Sequence, residues 1–79
     1  MTAEEMFNNQ GFINKSKDKK FIDYIKENDY DDVEEIFFDL EKCTINFNYY
    51  LCFEVLDLEI NKETALAVCK QIEELGWND

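Results

Sequence analysis

The residues best placed to do chemistry are a dense acidic run, Asp29, Asp31, Asp32, Glu34 and Glu35, five carboxylates within seven positions with Tyr30 among them. Between Asp23 and Glu41 there are nine acids and one lysine, Lys26. Carboxylates at this density can bind a cation, share a proton in acid–base catalysis, or present a negative field to a basic partner. A calcium loop of the EF-hand type fails on spacing. With Asp29 at loop position 1, Asp31 and Asp32 fall at positions 3 and 4, but Glu34 stands where Gly is needed at position 6 and Leu40 where Glu is needed at position 12. Weak divalent-ion binding by surface carboxylates stays open, and no dedicated metal site is expected.

Catalysis finds little support. The chain has no His, so the commonest general base and the commonest transition-metal ligand are both missing. A nucleophilic Cys would lack its usual imidazole partner. The one serine, Ser16, sits inside the lysine-rich stretch Lys15 to Lys20 with no base in sight. Gly11 and Gly76 are the only glycines, 65 positions apart, which excludes a phosphate-cradling loop. A carboxylate pair remains conceivable, but a short chain offers little concave pocket to raise the pKa of one member. The expectation is a protein that is not an enzyme and has no cofactor.

The surviving reading is electrostatic. The 79 residues carry 19 Asp and Glu against 8 Lys, a net charge of −11. A field of this sign repels nucleic acid and anionic membranes, so neither is an expected direct partner. It attracts the Lys- and Arg-rich surfaces that hold nucleic acid. Tyr30, with Tyr24, Tyr49 and Tyr50 nearby, would add contact area at low entropy cost. Asp29, Tyr30, Asp31, Asp32, Glu34 and Glu35 are therefore the candidate partner-binding residues. The plainer alternative is a structural or regulatory module, homodimeric through sheet edges, whose acidity only confers solubility. Sequestration of an anionic nucleotide is disfavoured, because Lys15 to Lys20 is the only basic cluster.

These residues need a scaffold. The chain is 46% apolar and 15% aromatic, enough to argue for a folded domain despite the charge. Its length suits one domain spanning 1–79, burying about 60% of the unfolded surface. Cys43, Cys52 and Cys69, at spacings of nine and seventeen, match no zinc signature and lie among apolar neighbours, so buried reduced thiols in a cytoplasmic protein are expected. No apolar run approaches the length of a membrane span.

A short helix over 2–9 is expected, with Thr2 as N-cap and Glu5 completing a capping box. Two strands follow across 12–28, joined by a polar turn within Lys15 to Lys20. Residues 32–41 fit two periods. Val33, Ile36, Phe37 and Leu40 have helical spacing, while Ile36, Phe38 and Leu40 share one face of a strand. The strand is the more economical choice, because Asp39 to Lys42 then makes a hairpin turn into the β-rich segment Cys43 to Val55. A C-terminal helix over 61–75 starts at Asn61, places Ala65, Val68, Cys69, Ile72 and Leu75 on one stripe, and stops at Gly76. Trp77 can then fold back onto the core. The predicted fold is α+β: a short N-terminal helix, an antiparallel meander of four to five strands, and a C-terminal helix packed on one sheet face.

Three segments carry a resemblance. The opening Met1 to Phe7 followed by Gly11-Phe12, the stretch Glu35 to Phe47, and Lys70 to Trp77 resemble small uncharacterised acidic proteins of Firmicutes phages and prophages. The similarity spans most of the chain, rests on structural residues, and transfers no functional residue. In size and charge the chain is similar to anti-CRISPR proteins, several of which resemble DNA in charge. The resemblance implies a phage-encoded inhibitor of a host defence protein, such as a CRISPR effector, acting by DNA mimicry in the cytoplasm of a bacterial host cell.

Overall fold

The computed structural model describes residues 1–28, 32–51 and 54–77. Its elements run α1 (Ala3–Asn9), β1 (Ile13–Lys17), β2 (Phe21–Glu27), β3 (Asp32–Asp39), β4 (Thr44–Leu51), β5 (Glu54–Leu56) and α2 (Lys62–Leu75). The five strands form one antiparallel sheet in chain order, each beside its sequence neighbour. The α+β meander expected from the sequence is the observed architecture.

Local chemistry fixes the element ends. Thr2 accepts from the Glu5 backbone N–H through its hydroxyl, and the Glu5 carboxylate accepts from the Thr2 N–H, the reciprocal capping box. Those hydrogen bonds hold the Glu5 carboxyl below its ordinary value. After α1 the chain turns at Gly11, whose φ of +90° L side chains rarely adopt. A Cβ there would also lie 3.2 Å from Lys26 Cε. The β1–β2 turn is tighter than the basic stretch predicts: β1 continues to Lys17, and Asp18 Oδ1 accepts from the N–H groups of Lys20 and Phe21. Asp39 does the same for Glu41 and Lys42 in the β3–β4 hairpin. At the other end of the chain, Asn61 Oδ1 caps α2 through the Thr64 N–H. Gly76 closes that helix in the left-handed region, with its N–H donating to Glu73 O and the Trp77 N–H to Ile72 O.

The ambiguous segment is a strand. In β3, Ile36 and Phe38 are fully buried and Leu40 packs at the core margin, as two-residue alternation requires. A helix here would have left β2 and β4 without the neighbour each pairs with along its whole length.

The core lies between one sheet face and the two helices. Phe7 of α1 stacks on Tyr24 of β2 at 3.9 Å between ring centroids, and Phe12 and Phe38 meet Phe7 edge-on. Trp77 folds back to within 6.3 Å of the Phe38 ring. Ala67 and Val68 bring α2 onto the same cluster. The helices also hold one another, with the Ala3 N–H donating to Glu74 Oε2 at 2.8 Å.

Two expectations need correction. Spacing alone places Ala65, Val68, Cys69, Ile72 and Leu75 inward. The line actually buried is Thr64, Ala67, Val68 and Gln71, with Ile72 and Leu75 beside it. The helix is rotated because Gln71 receives a 2.6 Å hydrogen bond from the buried Tyr24 hydroxyl, a partnership apolar periodicity cannot register. Burial beside that bond pushes the Tyr24 phenol up to about 12. The thiols expected to be buried are not: Cys69 faces solvent on the rotated helix, and Cys43 is exposed at the end of the hairpin turn with φ +55°. Cys52 lies outside the described residues.

Candidate protein-binding surface

Two-residue alternation divides the acidic run between the two sheet faces. Asp32 and Glu34 share a face with Ile36 and Phe38 but are half-buried rather than part of the core. Glu35 points to the opposite, open face. Asp29, Tyr30 and Asp31 belong to the β2–β3 connection and lie outside the described residues.

On the helix side, the Tyr49 hydroxyl donates to Asp32 Oδ2 at 2.8 Å, while Asp32 Oδ1 is buried without a donor. That bond to a carboxylate raises the Tyr49 phenol above its ordinary value. Asn28 Nδ2 donates to Glu34 Oε2 at 2.8 Å, and Lys26 Nζ approaches the same oxygen at 4.0 Å. Asn28 N–H closes the turn onto Asp32 O at 2.9 Å. A concavity at this end of the sheet is lined by Glu27, Asn28, Asp32 and Val33.

On the open side, Asn48 Nδ2 and the Tyr50 hydroxyl both donate to Glu35 Oε1, at 3.1 and 3.2 Å. Burial, then the Glu35 charge, raises the Tyr50 phenol. Asp23 sits diagonally across the β2–β3 ladder, where Asp23 opposes Phe37 and Ile25 opposes Glu35. Its Oδ1 is buried and receives no protein donor. Burial first, and then the hydrogen bond and charge of Glu35, push the Asp23 carboxyl up to about 7, with Lys15 opposing. Asp23 therefore keeps its proton up to about neutrality.

The structure thus brings Asp32 and Glu34 together and sets Glu35 apart with Asp23. The tyrosines separate as well. Tyr49 and Tyr50 hold the acids, whereas Tyr24 is 2% exposed and belongs to the core. Sequence reasoning missed the Asp23–Glu35 pair. Its signal is the register: a hairpin centred near residue 30 brings residue 23 beside residues 35 and 37.

Among the described residues no group of three or more His, Cys, Asp and Glu is arranged to hold a metal ion. No helix among them is long and apolar enough to cross a membrane. No protein-family model, curated protein or solved structure matches the chain.

Proposed function

We propose that this protein is a binding protein rather than an enzyme, and that it occupies a basic, nucleic-acid-binding surface of another protein in place of nucleic acid. In the setting that the resemblance implies, it is a phage-encoded, anti-CRISPR-like inhibitor acting in the bacterial cytoplasm on a host defence protein such as a CRISPR effector.

One observation carries this reading. The carboxylates of Asp32 and Glu35 are held in place by neutral donors, Tyr49, Asn48 and Tyr50, and Glu34 is held by the neutral Asn28 amide with Lys26 at 4.0 Å as its one cation. Neutral donors fix the position of a negative charge without cancelling it. A fixed array of largely uncancelled charges loses little side-chain freedom on binding and complements a rigid Lys/Arg groove. Asp29 and Asp31, with Tyr30 as an anchor, extend the array in sequence.

The homodimeric module is the weaker reading. The free edge of β1 carries Lys15 and Lys17 and a bulge between Asn14 and Ser16, all devices that oppose edge pairing. Each copy would also bring a net charge of −11.

The test is capture from a bacterial host lysate at low salt, using the wild type and a D29N/D31N/D32N/E34Q/E35Q variant. Retention of a nucleic-acid-binding defence protein by the wild type and its loss from the variant support the reading. Equal retention by both forms contradicts it.

A further inference from the structure

The helices cover one face of the sheet, and every sheet residue in the core belongs to that face. The other face combines three features. Phe21 and Phe37 stack across β2 and β3 with centroids 5.3 Å apart and an interplanar angle of 26°. Beside Phe37, directly across the ladder, stands Asp23, with Glu35 on the diagonal. Around them are half-buried Ile25 and Tyr50, which is 36% exposed.

The carboxyls at the centre of this face are only partly satisfied. Asp23 Oδ1 has lost its access to water and has no protein donor in exchange. Glu35 Oε1 is served by Asn48 and Tyr50, which supply two neutral donors and no cation. Two carboxyls set diagonally on one sheet face repel each other unless a proton or a cation offsets them. The charged groups facing them from the adjoining strands are Lys15 from the β1 bulge and the Tyr50 phenol from β4, and Lys15 only partly offsets the Asp23 shift. A planar guanidinium suits the solvent-facing side of this half-buried pair better than an ammonium. It donates to two carboxylates at once through a fixed fork, and it stacks on aromatic faces. A second copy of the chain would bring a like-charged pair against this one.

We propose that the open sheet face docks an arginine-bearing basic segment of the partner protein, with a guanidinium seated on Asp23 and Glu35 beside the Phe21–Phe37 rings. This rests on the reading that the partner is basic, and adds a second contact region with a chemical preference that charge alone does not give.

Nona-arginine and nona-lysine peptides serve as probes, titrated calorimetrically at neutral pH and low salt. The wild type is expected to bind the arginine peptide about tenfold more tightly than the lysine peptide. D23N/E35Q should lose that preference. E59Q/E63Q, which removes the same charge from exposed positions before and at the start of α2, should keep it. In the unaltered protein, the Asp23 carboxyl carbon resonance should move to its ionised position on adding the arginine peptide, a readout independent of how any variant folds. Equal binding of both peptides to the wild type overturns the proposal while leaving the basic-partner reading standing. Binding of neither peptide overturns both. A dimer that buries this face, detected by sedimentation and broken by peptide, also overturns it.

Discussion

Asp23 on β2 and Glu35 on β3 face each other diagonally on the open side of the sheet, and burial, reinforced by Glu35, pushes the Asp23 carboxyl up to about 7. Folding thus raises the pKa of this group above its ordinary value of 3.8. Between about pH 4 and 7 the folded chain holds a proton that the unfolded chain has released. The sign follows from linkage: where the native state binds more protons, stability falls as pH rises. The pair therefore costs nothing below pH 4, and its full cost is reached above pH 7. D23N should match the wild type in urea unfolding at pH 4 and be more stable by about 1 kcal/mol at pH 8, a figure reduced for solvent screening. An advantage over the wild type no larger at pH 8 than at pH 4 contradicts the pairing.

The Tyr24–Gln71 hydrogen bond couples sheet to helix inside the core. Tyr24→Phe leaves Gln71 Oε1 buried without its donor, and Q71A leaves the hydroxyl without its acceptor. Each should destabilise by about 1–3 kcal/mol. The double variant should cost less than the sum, because neither group is then orphaned. Denaturant midpoints for the four proteins measure the coupling, and strict additivity contradicts it.

The two glycines should differ. Both have positive φ, but a Cβ at Gly11 meets the Lys26 side chain at 3.2 Å while one at Gly76 meets nothing within 4 Å. Gly76→Ala should cost about 1 kcal/mol from backbone strain alone. Gly11→Ala should cost more, and thermal melts of the two variants rank them.

Exposed thiols react without unfolding. Cys43→Ser and Cys69→Ser should each remove one rapidly labelled thiol from the native protein under a disulfide reagent. Slow labelling at either position contradicts its exposure.

The thiols also mark where sequence reading stopped. Apolar neighbours along the chain suggest burial, yet Cys43 is turned out by the left-handed end of its hairpin turn. Cys69 is turned out by a helix rotation set by Gln71. Elements and ends were legible where the signal is local: Thr2 with Glu5, Asn61, Gly76, and the alternation of Ile36, Phe38 and Leu40. The site was legible only as a linear run. Its division between two faces follows from the strand period once the strand is accepted. The Asp23–Glu35 pair required the hairpin register, which the sequence around residue 30 leaves free.

The central claim, that this protein takes the place of nucleic acid, is tested most directly by competition. The captured partner is bound to labelled duplex DNA, and the protein is titrated in while anisotropy is followed at several salt concentrations. The account predicts mutually exclusive binding, with displacement weakening steeply as salt rises and abolished by neutralising residues 29, 31, 32, 34 and 35. A stable ternary complex with DNA, or displacement indifferent to salt, contradicts it.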